Sequence, residues 1–231
     1  MMNIKALTFD YFGTLVNVDE GATTGITEVC RLLSVDSGRS ASDLYRDWDI
    51  RTIRLYRGSS YQRFRIVARE GLRQCLEATA PGCLAGQDIE KIAEVFLGHL
   101  VESSPPHGDA VQFLDWAKER FPLMPITNMD TDLWKRSRLA HYFENVTTAE
   151  MAKAYKPSHQ IFLYALDRLD LAPENVLHCS ISHWADIDGA KPLGMNVAWI
   201  NRWEAKLGTF QARPDFEFST LTPVIEILNK L

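Results

Sequence analysis

Short apolar runs alternate with longer stretches of helical periodicity at the start of the chain and again through its second half. Ile4 to Phe9 is the first such run; it stops at Asp10, and Gly13 follows where a tight turn favours a residue without Cβ. Leu123 to Ile126, Val176 to Cys179 and Val197 to Ile200 repeat the pattern. Continuous apolar runs of this length predict strands buried on both faces, as in a parallel sheet. Between them, Ala110 to Arg120 sets Val111, Leu114 and Ala117 at helical spacing, and Gln160 to Leu169 does the same with Ile161, Tyr164, Ala165 and Leu169. Both segments read as crossover helices. From about residue 20 to 100 helical patterning continues without a convincing strand. The expectation is an α/β protein whose parallel-sheet core spans 1–17 and 101–231, with a helical insertion over 18–100.

Composition narrows the partners. A chain of 231 residues can bury a substantial core, and 46% hydrophobic with 24% charged residues is ordinary globular usage. The formal net charge of -5 argues against the broad basic surface that grips a nucleic-acid backbone. The stretch before Asp10 is too short for a signal segment and no apolar run is long enough to span a bilayer, so a cytoplasmic protein without membrane or nucleic-acid partners is expected. The four cysteines, Cys30, Cys75, Cys83 and Cys179, lack metal-ligand spacing and read as reduced, buried thiols. Inside the insertion, Arg39 to Arg73 holds nine arginines, no lysine and four acidic residues. Such a patch suits concentration of a small anionic substrate, although solvated helix faces are the commoner origin of charge runs. A homodimer is one admissible assembly.

Ligands of open parallel sheets bind beyond the carboxyl ends of the strands. Asp10 with Thr14, Thr127 with Asn128, and Ser180 with Ser182 all fall at such ends. The run Asp10-Tyr11-Phe12-Gly13-Thr14-Leu15 resembles the first motif of the haloacid dehalogenase superfamily. The resemblance continues in order through Thr127-Asn128, Lys156-Pro157, and His178 to Asp186 with Gly189-Ala190 beyond. It implies a Rossmann-like core with an inserted helical cap. It also implies an Asp10 nucleophile that forms an aspartyl ester, later hydrolysed by water. Thr14 and Thr127 would then bond that carboxylate or the substrate, Asn128 would brace its loop, and Lys156 would hold Asp10 ionised. Ser182 and Asp186 complete the implied catalytic set. Of the two histidines that could serve as acid-base groups, His178, at a strand end, reads as structural, and His183 has the smaller claim of a candidate that could reach the site.

Two departures bear on the chemistry. Phosphatases of the superfamily carry an acid two residues after the nucleophile and a magnesium-ligating Asp in the fourth motif; here these positions are Phe12 and Ile181. An alkoxide leaving phosphorus needs a proton donor, whereas halide departs without one, and magnesium prefers several hard oxygen ligands. The pattern resembles the L-2-haloacid dehalogenase branch, with no metal and no cofactor. There an Arg of the early cap serves the halide, and Arg46 is the local match. Tyr11, Phe12, Trp48, Phe162 and Trp184 are the expected substrate-binding residues, although the branch tends to carry Tyr where Phe12 and Phe162 stand. The alternatives are a phosphatase that draws on Asp130, Asp186 or Asp188, and a catalytically silent anion-binding relative.

Overall fold

The computed structural model describes residues 2–36, 38–58 and 60–230. It divides into two units. The first consists of Met1–Asn17, Pro106–Asn128 and Leu139–Leu231; the second of Val18–Pro105 and Met129–Arg138. Sequence expectation placed 101–105 and 129–138 in the sheet core, and the structure assigns both to the helical unit. The reason for the second segment lies at Asp130, whose carboxylate is committed to the helical unit.

The first unit is built on a six-stranded sheet in the order β3-β2-β1-β4-β5-β6. The strands are β1 (Ala6–Phe9), β2 (Leu123–Thr127), β3 (Thr147–Thr148), β4 (Val176–Ser180), β5 (Asn196–Ile200) and β6 (Phe216–Phe218). All neighbours pair in parallel. Every residue of β1, β2 and β4 is buried, as expected of strands with helices on both faces. Gly108–Ala117 and His159–Leu169 are the helices of two of the crossovers. From β1 the chain steps outward to β2 and β3, then returns to β4 on the other side of β1. That reversal makes the carboxyl ends of β1 and β4 the topological switch point, where ligands of such sheets bind.

The second unit is helical: Val18–Leu33, Ala41–Gly58, Phe64–Thr79 and Ile89–Gly98, with the short helix Thr131–Lys135 added from the later segment. Its first helix buries Val18, Ala22, Ile26 and Val29 on one face. A Cβ on Gly21 would lie 2.8 Å from the His99 carbonyl oxygen, so only glycine admits this close helix approach. Among the described residues no helix is long and apolar enough to cross a membrane.

Phe64–Thr79 has no cap of its own, since the Arg63 side chain caps nothing. Asp130 supplies it: Oδ1 accepts from the Phe64 amide at 2.8 Å and Oδ2 from the Arg65 amide at 3.0 Å, with the residue fully buried. The anion also meets the positive end of the helix dipole. Asp130→Ala is expected to cost about 2 kcal/mol. A lower urea midpoint and faster hydrogen exchange at the Phe64 and Arg65 amides would register it, and unchanged exchange there would remove this anchor.

Candidate active site

Asp10 follows β1 directly, its amide donating to the Cys179 carbonyl of β4 at 3.1 Å. The chain then turns sharply. Gly13 sits at φ +81°, and a Cβ there would lie 3.2 Å from Ile181 Cγ2, so both conformation and space call for glycine. The turn is held from outside: Arg202 donates to the Thr14 carbonyl at 2.8 Å and pairs with Asp109 at 2.9 Å, while His107 Nε2 lies 3.2 Å from the Gly13 carbonyl. Burial pushes the Asp109 carboxyl up, but hydrogen bonds from Arg202 and the Leu221 amide outweigh that and hold it below the usual range.

Both oxygens of the buried Asp10 carboxylate are engaged. Thr14 Oγ1 donates to Oδ2 at 2.7 Å and Lys156 Nζ donates to Oδ1 at 2.7 Å. Thr14 Oγ1 in turn accepts from the Ile181 amide at 2.9 Å, which fixes its proton toward Asp10. Lys156 bridges two carboxylates, since Nζ also lies 2.8 Å from Asp186 Oδ1. Its own backbone is braced by Asn128, whose Oδ1 accepts from the Lys156 amide at 2.7 Å. Asp186 Oδ1 receives a further contact from His178 Nε2 at 2.9 Å, and His178 Nδ1 meets Thr8 Oγ1 at 2.9 Å. His178, read from the chain as structural, and Thr8 join this chain of contacts through the sheet register.

The charges are unequal in their support. One ammonium serves two buried carboxylates. Asp186 has His178 besides, so despite burial its carboxyl is held below the usual range by Lys156 and His178. Asp10 lacks a second donor of that kind; burial prevails over the pull of Lys156, the Asp186 charge adds to it, and its carboxyl is raised. Lys156, although buried, is pushed up by the two carboxylates and stays charged.

Other expected site residues lie as follows. Thr127, buried, closes β2 in register with Thr148. Ser182 Oγ accepts from the Ala185 amide at 3.3 Å and so caps the turn His183–Ile187, on which Trp184 and Asp186 sit. Phe12 and Trp184 are half-buried, whereas Tyr11 and Phe162 are wholly buried. Phe162 turns its edge to His178, the centroids 5.7 Å apart, and a Cβ on Gly189 would strike its ring. It backs His178. Arg46 and Trp48 belong to the helical unit. Trp48 is buried there, its indole donating to the Ala68 carbonyl at 2.9 Å and its ring against Phe96. Arg46 is exposed and 3.3 Å from Asp43. The arginine patch is largely answered locally: Arg51 pairs with Asp47, Arg73 with Glu70, Arg63 and Arg65 with Asp132, and Arg69 with Glu90.

A divalent cation does not suit this donor set. Lys156 Nζ occupies the place between Asp10 and Asp186, Ile181 offers no donor, and Asp188 is spent on the Ala212 amide at 3.0 Å. Among the described residues no group of three or more His, Cys, Asp or Glu side chains converges to hold a metal. The arrangement is a buried carboxylate flanked by a cation and a hydroxyl donor, with a second carboxylate beside it.

Residues 4–194 match the family model of haloacid dehalogenase-like hydrolases. The chain is 23% identical to haloacetate dehalogenase H-2 of Moraxella sp. (strain B), covering 99% of both chains. It is 26% identical to an (S)-2-haloacid dehalogenase of Pseudomonas fluorescens over 93% of this chain and 92% of that one. In fold it is similar to the L-2-haloacid dehalogenase of Xanthobacter autotrophicus, at a TM-score of 0.79 and 20% identity over 99% of each chain.

Proposed function

The chain belongs to the haloacid dehalogenase-like hydrolases, and from that premise we propose that it removes halide from a small 2-haloacid through an ester on Asp10, without a metal ion. The observation that carries this reading is the setting of Asp10: a buried carboxylate held by Lys156 and Thr14 at 2.7 Å each, with Phe12 where a leaving-group acid would stand. Relatives named for haloacetate and 2-haloacid dehalogenation support the substrate class.

In the first half-reaction an Asp10 oxygen attacks the carbon bearing the halogen, the carbon–halogen bond breaks, and halide departs unprotonated. The two donors on Asp10 hold the carboxylate in one orientation, which converts a bimolecular encounter into a positioned attack. In the second, water adds to the Asp10 acyl carbon and the bond to the substrate oxygen breaks. The product hydroxyl keeps one water-derived proton, the other is taken up by a base, and the carboxylate is restored. Asp186, ionised beside Lys156, is the available base.

The family resemblance adds Arg46 as the cation for the departing halide. Arg46→Ala is then expected to lose at least about tenfold in kcat/KM, far more than Arg51→Ala or Arg54→Ala. Equal small losses across the three would reduce the arginines to diffuse attraction.

The test of the reading is a panel of haloacetate, 2-chloropropionate and phosphate monoesters, each with magnesium and with chelator. Halide release that survives chelator is expected. Magnesium-dependent phosphate release without halide would replace dehalogenation by phosphoryl transfer, and silence on every substrate would favour an anion-binding protein.

A further inference from the structure

His178 stands at a place where the mechanism so far uses only its neighbour. The register of the sheet sets it directly opposite Thr8 on β1, and its ring is fixed on three sides. Thr8 Oγ1 meets Nδ1 at 2.9 Å, Asp186 Oδ1 meets Nε2 at 2.9 Å, and the Phe162 edge closes the ring face at an interplanar angle of 87°. The residue has no exposure to solvent. Oδ1 of an ionised carboxylate can only accept, so the Nε2 that faces it carries a proton. The charged groups around the ring are Asp186, with Lys156 2.8 Å from the same oxygen and Asp10 beyond it.

The consequence falls on Asp186. Its Oδ1 receives two donors, Lys156 and His178, which use both lone pairs. Its Oδ2, equally buried, has no hydrogen-bond partner among the described residues. A buried carboxylate oxygen left without a donor is costly, and such atoms mark places where water or ligand completes the bonding. With Oδ1 pinned on two sides the carboxylate cannot rotate to exchange its oxygens, and Oδ2 keeps the basic lone pair.

We propose that His178 is a positioning residue for the ester-hydrolysis half of the reaction, gripping Asp186 Oδ1 so that Oδ2 takes the proton of the attacking water. This rests on the aspartyl-ester reading above. In the step, a water O–H bond breaks and its oxygen bonds to the Asp10 acyl carbon while that proton passes to Asp186 Oδ2 and then to solvent; the bond from the acyl carbon to the substrate oxygen breaks, and the second water-derived proton goes to the departing product oxygen. The alkylation step draws on Asp10, Lys156, Thr14 and the halide-facing Arg46, and does not use this grip.

His178→Phe therefore splits the two half-reactions. In rapid mixing with 2-chloropropionate the first-turnover burst of halide is expected within about threefold of wild type, while steady-state turnover falls at least about tenfold. Intact-protein mass should then show the 1-carboxyethyl ester of Asp10 accumulating on the variant. His178→Gln, whose amide can still donate to Oδ1, should regain part of the lost turnover, and serves if the Phe variant folds poorly. Burst and steady state falling together, or neither changing, would overturn the proposal. Nitrogen-15 spectra of the substrate-free wild type give an independent reading: a proton on Nε2 is expected, and a ring protonated at Nδ1 alone would refute the grip on Asp186. A wild-type protein that releases no halide would instead sink the dehalogenase reading, an outcome the substrate-free spectrum keeps separate from the geometry of His178.

Discussion

Asp10→Asn is expected to reduce halide release by at least about 10⁴-fold, with the thermal transition retained. The amide is nearly the shape of the carboxylate, so the Arg202–Asp109 clamp on the turn can persist. What disappears is the negative oxygen that attacks carbon, and no other carboxylate is set in the same turn. Asp186, the other carboxylate on Lys156, has Oδ1 committed to two donors. The check is a halide assay paired with a melting curve. Residual activity within about tenfold of wild type would mean that Asp10 is not the nucleophile.

Lys156→Met should disturb stability as well as rate. It leaves Asp10 and Asp186 buried without the ammonium that lies 2.7 and 2.8 Å from them. Removing one partner of a buried ion pair costs about 3–5 kcal/mol, and here one cation balances two anions. The molecule has a cheaper response: one carboxyl keeps a proton. Asp10 is the group to do so, because burial already raises its carboxyl. The sign follows. Asp10 attacks only when ionised, so a carboxyl raised further moves the acid limb of the kcat/KM profile to higher pH, and activity at neutral pH should fall at least about a hundredfold. Stability moves with pH as well. A carboxyl raised in the folded state leaves the variant at full stability below the unfolded value of about 4 and costs it stability as pH rises through the folded value. Urea unfolding of the variant at pH 5 and pH 8 checks this, with the larger deficit relative to wild type expected at pH 8. A deficit that is the same at both, with an unmoved acid limb, would show that Lys156 does not govern the charge on Asp10.

Much of the fold was legible because buried parallel strands announce themselves as unbroken apolar runs: Ile4 to Phe9 and Val176 to Cys179 predict β1 and β4 to within two residues. The edge strands did not. Thr147–Thr148 and Phe216–Phe218 span two and three residues, too few for any period to show. The membership of 129–138 in the helical unit was also hidden, because it depends on Asp130 meeting amides at Phe64 and Arg65, far away in sequence.

The same distinction holds at the site. Strand ends can be read from the chain, so Asp10 with Thr14, Thr127 with Asn128 and Ser180 with Ser182 are expected at one sheet edge, whereas Lys156 and Asp186 are implied by the resemblance to the family's motifs. His178 could not be read that way. A histidine inside an apolar run is ordinarily a satisfied core residue, and its contact with Asp186 arises from the β1–β4 register and the turn after Ser180. The clamp of Arg202 and Asp109 on the Thr14 carbonyl joins residues 93 positions apart and leaves no local signal either.

The covalent step is tested most directly by a single turnover in heavy-oxygen water, with enzyme in excess over 2-chloropropionate. If Asp10 forms the ester, water attacks its acyl carbon and the substrate carries away an Asp10 oxygen. The peptide containing Asp10 should then gain one heavy oxygen while the first lactate released contains none. Heavy oxygen in that first lactate, with Asp10 unlabelled, would mean that water attacks the substrate directly and that no aspartyl ester forms.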